Sequence, residues 1–186
     1  MVTEHKTFEN ITFESLEKGL YEECVFKNCD FTAISLAFFK FENCTFKQCN
    51  LSNVSLNQTS LQDCEFEESK LTGINFQDVN PFLFGIDCIN CDLSLTYFAE
   101  NDLSRSNFRN CNFSDAQFLE VNAQGTNFSE SNLKNTVFDQ TNLSGAYLSG
   151  VTDLSIDITK NSVKKMRVDL DNLPGLLANF SLEIIA

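Results

Sequence analysis

Large apolar residues recur along this chain at every fifth position. From Leu16 the series runs Tyr21, Phe26, Phe31, Leu36, Phe41, Phe46, Leu51, Leu56, Leu61, Phe66, Leu71 and Phe76. A second series runs from Leu93 through Phe98, Leu103, Phe108, Phe113, Phe118, Ala123, Phe128, Leu133, Phe138, Leu143 and Leu148. Neither an α-helix, at about 3.6 residues per turn, nor a strand alternating from one residue to the next sustains a period of five. A fixed short period marks a repeat architecture, in which each unit buries its apolar side by stacking on its neighbours.

The position two residues before each large one favours small side chains. Cys24, Cys29, Cys44, Cys49, Cys64, Cys91 and Cys111 sit there among Ser, Thr, Ala and Val, and Phe39 is the misfit. Residues two apart on an extended backbone point to the same side. Both positions are therefore expected to face one core. The other three, rich in Asn, Ser, Glu, Lys and Gln, face water.

The two series are offset by two residues, so the register slips between Gln77 and Asp92. The break itself reads Asp78-Val79-Asn80-Pro81-Phe82-Leu83-Phe84-Gly85-Ile86-Asp87. Proline suits a bend or bulge, where its missing N–H is not needed. Two readings stay open. One is a kink that Phe82 or Phe84 covers by packing inward. The other is a small loop through which Asp78, Asn80, Pro81, Phe82 and Phe84 touch a partner.

The period fades after Val151, dividing a repeat body, residues 1–153, from a segment of a different kind, residues 154–186. Asp171-Asn172-Leu173-Pro174 reads as a helix start, with the cap at Asn172 or Asp171 and Pro174 in the first turn. Leu173, Leu176, Leu177 and Phe180 then form an apolar stripe at helical spacing. Leu182, Ile184 and Ile185 predict a last short strand. The end of a solenoid exposes unpaired strand groups and an open core, so something must cover it. The cover is either a cap within one chain or one shared between two.

The repeating unit (small residue, Asn or Asp, Leu or Phe, polar, variable) resembles that of the pentapeptide-repeat family. Thr141-Asn142-Leu143-Ser144-Gly145 is close to an ideal copy. The resemblance runs from Leu16 to Leu148, with Phe8 and Phe13 as a frayed start. It implies an all-β fold: a right-handed quadrilateral β-helix, four repeats per coil, with a short C-terminal helix-plus-strand cap. Residues 20 apart should then stack, and Cys24, Cys44 and Cys64 recur at that spacing, as do Cys91 and Cys111. About 27 repeats would make about seven coils and, at about 4.8 Å per coil, a rod of roughly 33 Å.

Composition changes this picture in two ways. The eight Cys are explained by the repeat, which points to buried free thiols in a reducing compartment rather than a disulfide framework. Cys88-Ile89-Asn90-Cys91 is the one CxxC, without a second such pair, and the single His is His5, near the terminus. No metal and no cofactor are expected. The second change is charge: residues 1–153 hold 22 Asp and Glu against 9 Lys and Arg, a net of −13, whereas the remainder is neutral. Such a surface repels nucleic acid and anionic membrane and attracts basic partners. With a polar Met1–Asn10 and no apolar stretch long enough to span a bilayer, the expected location is the cytoplasm.

No enzyme is expected. The chain lacks a Gly-rich phosphate loop, a nucleophile elbow and a His placed as general base, and a convex rod offers its acidic pairs no cleft. The frequent Asn-X-Ser/Thr triplets follow from the repeat and are not read as glycosylation sites.

The acidic rod, its single break and its helical cap together are similar to the topoisomerase-poison resistance branch of the family, which includes the Qnr, MfpA and McbG proteins. Asn90-Cys91-Asp92-Leu93 after a Phe-rich break adds to that likeness. The resemblance implies a homodimer joined at its C-termini through Leu173, Leu176, Leu177 and Phe180. It implies a DNA-like negative rod that binds DNA gyrase or topoisomerase IV and protects it from quinolone-type drugs or peptide toxins. The residues expected to meet the basic partner are Asp63, Glu65, Glu67, Glu68, Glu100, Asp102, Asp115, Glu120, Glu130 and Asp139. Glu100 and Glu120, 20 apart, should stack on one face. The alternative is a repeat scaffold with no topoisomerase partner.

Overall fold

Each five-residue unit makes one short extended segment and one corner, and four units close a coil. In the computed structural model, which describes residues 1–12, 16–180 and 182, parallel pairing joins residues 20 apart along most of the rod and 18 apart in its first coil. Phe26 meets Phe46, Phe46 meets Phe66, and Phe98 meets Phe118. Isolated bridges carry the same offset through Asp30, Asn50 and Lys70, and through Asn112, Asn132 and Thr152. The fold is the expected all-β parallel solenoid. Its four faces are numbered here by their large residues: face 1 carries Tyr21, Phe41, Leu61 and Leu103; face 2, Phe26, Phe46, Phe66 and Phe108; face 3, Phe31, Leu51, Leu71 and Leu93; face 4, Leu36, Leu56, Phe76 and Phe98.

The rod is longer than the period implies. On face 2 the rungs run Phe8, Phe26, Phe46, Phe66, Cys88, Phe108, Phe128, Leu148 and Val168, about eight turns rather than seven. At about 4.8 Å per rung that is roughly 38 Å. Pairing continues beyond the fading of the period, through Asn142 with Ser162 and Leu148 with Val168.

Side-chain chemistry explains why each repeat position is restricted. The corner residue, two after each large one, has left-handed backbone, as at Asn28, Asn43 and Asn110 with φ of 52, 53 and 54°. Asn tolerates that region better than most residues. The Asn or Asp before the large residue closes the turn: Asn112 Oδ1 accepts from Ser114 N at 3.2 Å and Asn142 Oδ1 from Ser144 N at 3.1 Å. The small inward residue donates to the carbonyl of the large residue one coil below. Thr59 Oγ1 donates to Leu36 O at 2.8 Å, Cys44 Sγ to Tyr21 O at 3.3 Å and Ser131 Oγ to Phe108 O at 3.0 Å. Cys, Ser and Thr at this position thus give the buried carbonyl a side-chain donor that Ala lacks.

The core is a set of aromatic columns. Ring centroids lie 4.7 Å apart for Phe26–Phe46, 4.9 Å for Phe46–Phe66 and 4.8 Å for Phe118–Phe138, all near-parallel stacks. Phe39, the misfit, is buried and stacks on Phe41 with centroids 6.0 Å apart.

The far end is covered by a lid. Helix α1, Leu173–Leu177, starts after Asn172 with Pro174 in its first turn, as the sequence predicts. Asn172 ties the lid down instead of capping α1, donating Nδ2 to Val151 O at 3.1 Å. Gly175 lies against the Leu154 backbone, and its carbonyl accepts from Ile156 N at 3.2 Å. Leu154 and Ile156 are buried there, with Leu176 packed on the same core. Of the strand predicted at the end, Ile184 and Ile185 lie outside the described residues, and Leu182 is exposed.

A candidate docking surface at the break

Two extra residues enter the solenoid between Asn80 and Gly85. Asn80 N still donates to Thr59 O at the ordinary 21-residue offset, but beyond the break Cys64 pairs with Ile86 and Phe66 with Cys88, 22 apart. The surplus is absorbed in Pro81–Phe84, where Asn80 Oδ1 accepts from Phe82 N at 3.0 Å and Leu83 takes a φ of 54°. The turn sends neighbouring side chains opposite ways. Phe84 packs onto the core, its ring centroid 6.3 Å from that of Phe76. Phe82 is 68% exposed and Leu83 64%. Phe84 therefore fills the kink, while Phe82 projects with Pro81. Asp78 belongs to the 3-10 turn before it, Phe76–Asp78, and accepts from Asn75 Nδ2 at 3.0 Å.

The insertion opens a groove of about 580 Å³, bounded by Asp63, Glu65, Leu83, Asp87, Asp102 and Arg105 among others. A convex rod was expected to offer no cleft; displacing one strand from the face creates one. Asp63, Glu65 and Asp102 come together here. Asp87 and Arg105 were not foreseen. Asp87 lies inside the break, and its Oδ1 accepts from Asn107 N at 2.7 Å. Nothing in the sequence distinguishes Arg105, which is an ordinary corner residue with φ 71°.

The remaining acids are spread around the rod. Glu67 pairs with Lys47 Nζ at 2.6 Å, and Glu68 accepts from Gln48 Nε2 at 2.8 Å, both from the coil below. Asp115 accepts from Asn135 Nδ2 at 3.0 Å at the corner after face 3. Asp139 lies on face 4 beside Phe138, and Glu130 lies at the corner after face 2 with φ 63°. Glu100 and Glu120 occupy the same corner on successive coils, with φ of 58 and 54°, exposed and one rung apart.

The thiols are closed to solvent. All eight are free and buried, and burial pushes Cys44 and Cys49 up to about 12 and Cys88 well above the ordinary thiol value. Among the described residues no group of His, Cys, Asp and Glu is suited to hold a metal, and no helix is long and apolar enough to cross a membrane. On the lid, Leu177 is half-buried, while Leu173 and Phe180 are 40% and 45% exposed and Leu170 is 79% exposed.

The pentapeptide repeat region model matches residues 21–81 and 83–167, in two stretches that part at Phe82 in the inserted loop. The chain belongs to the pentapeptide-repeat family. Among solved structures it is similar to two trypsin-treated variant forms of QnrB1, described as a plasmid-mediated fluoroquinolone resistance protein. One has TM-score 0.66 at 17% identity, covering 100% of this chain and 99% of that one. The other has TM-score 0.65 at 17% identity, covering 100% and 98%. No curated protein sequence matches the chain.

Proposed function

We propose that this protein is a cytoplasmic DNA mimic that binds DNA gyrase or topoisomerase IV and shields it from quinolone-type drugs or peptide toxins. The observation that carries the reading is the acidic four-faced rod. A net charge of −13 lies on a narrow solenoid whose coils match QnrB1 end to end. Two such rods joined through their lids would span about 76 Å, comparable to about 22 base pairs at about 3.4 Å each. That length of duplex carries roughly 44 charges, so the mimicry is of shape and sign more than of charge density. The ring of acids suits this role better than a single patch would, because a rod lying in a basic channel meets it on several sides. The exposed apolar residues of the lid, Leu170, Leu173 and Phe180, supply the surface for joining two chains.

Pull-down with purified gyrase and with purified topoisomerase IV tests the reading. The protein should be retained at low salt and released by duplex DNA. Retention by neither enzyme would leave a repeat scaffold with some other partner.

A further inference from the structure

Face 1 lacks one rung at the break, and the coil above it is left with an open backbone edge. Elsewhere on this face the residue before each large one donates its amide to the coil below: Asn122 N to Asn101 O at 3.0 Å, Asn142 N to Val121 O at 2.9 Å, and Ser162 N to Thr141 O at 3.0 Å. The equivalent group above the break is Asp102 N–H, and among the described residues it has no hydrogen-bond partner. Two carbonyls share its situation. One coil higher, Asn122 O accepts from Leu103 N at 2.8 Å and Gln124 O from Arg105 N at 3.1 Å. Their counterparts Asp102 O and Ser104 O receive no donor from the coil beneath, because Leu83 is carried out in the loop and Gly85 turns its amide down to Leu61 O at 3.0 Å. Asp102 pairs only upward, with Asn122.

We infer that this slot takes an extended, basic peptide segment of a partner protein as the missing rung, by strand addition. A three-residue segment spans about 10 Å, the length of one rung. Its backbone can accept from Asp102 N–H and donate to Asp102 O and Ser104 O, repeating the ladder on the coils above. The side chains around the slot set the chemistry of the guest. Asp63, Glu65, Asp87 and Asp102 face it against the one cation Arg105, and Leu83 forms an exposed apolar lip. Side chains alternate in an extended chain, so the matching guest alternates Lys or Arg with a medium-sized apolar residue. Main-chain bonds hold such a guest and the carboxylates select its charge. The inference does not depend on a topoisomerase being the partner.

The test uses a fluorescein-labelled Lys-Val-Lys-Val-Lys-Val peptide with the full-length protein. Two N-methylated forms block alternate sets of amides, so that only one set can face Asp102 O and Ser104 O. The expected result is one peptide bound per chain, with one methylated form weakened at least tenfold and the other nearly unaffected. In the complex, hydrogen exchange at Asp102 N–H should slow at least tenfold, and Glu65→Gln should weaken binding two- to fivefold. Absence of binding overturns the inference. So does equal binding of both methylated forms, or unchanged exchange at Asp102, since either would mark plain charge attraction.

Discussion

In the coil above the break, Ile86 pairs with Cys64 and Cys88 pairs with Phe66, so the large and small inward residues have exchanged places. Both are buried, and the rungs on either side keep the usual order. The core fills because the two volumes compensate. Cys88→Phe alone should overpack this coil and cost about 1–3 kcal/mol. Ile86→Cys alone should leave a void and cost a similar amount. The double substitution restores the ordinary order and should lose much less than the two together, with a coupling of at least about 1 kcal/mol. Denaturant unfolding of the four proteins measures it.

Two of the buried thiols, Cys44 and Cys49, make stability fall in alkali. Cys44 and Cys49 are held neutral up to about 12, whereas an unfolded thiol ionises near 8.5. Between those values the unfolded chain binds fewer protons than the folded one, so the contribution is complete below about pH 8.5 and is lost as pH rises. From pH 8 to 10 each of these thiols should remove about 2 kcal/mol. Cys44→Ser, which keeps a donor for Tyr21 O, should flatten that slope. Thiol titration of the folded protein should find few reactive groups, and all eight on unfolding.

Gly175 marks where the lid touches the rod. A Cβ there would fall on Leu154 O, so Gly175→Ala should force α1 off the last coil. The expected readouts are a lowered melting temperature and faster amide exchange at Ile156, whose N–H bonds to Gly175 O. Unchanged exchange at Ile156 would mean that the lid tolerates the methyl group by shifting.

Light scattering of the wild type should report a dimer, and Leu173→Asp should report a monomer with the solenoid intact. The expectation rests on the apolar residues that one lid leaves uncovered, Leu170, Leu173 and Phe180. A monomeric wild type would reject it.

The period of five made the solenoid, its inward residues and its 20-residue stacking legible, because every coil repeats the same local chemistry. Features that interrupt the repeat were not. Phe82 and Phe84, two apart, would share a side on a strand, but the left-handed Leu83 between them turns one out and one in. The coils beyond Val151 were hidden for a different reason. Asp153 breaks the series, and Val163 and Val168 resume it with β-branched residues where Leu and Phe had stood. The groove was illegible because Asp63, Asp87 and Asp102 belong to three successive coils and meet only once the extra residues have bulged away.

The most direct measurement is gyrase supercoiling activity titrated with wild-type protein and with the Glu100→Lys, Glu120→Lys double variant, at low and at physiological salt. The double variant exchanges one stack of like charges for another on exposed corners, so its melting temperature should stay near that of the wild type. The wild type should inhibit supercoiling, and less so as salt rises, since exposed charges are screened beyond about 8–10 Å at 0.1–0.15 M. The double variant should need about tenfold more protein for the same inhibition. A wild type that never inhibits, or a double variant that inhibits as well as the wild type, would contradict the DNA-mimic account.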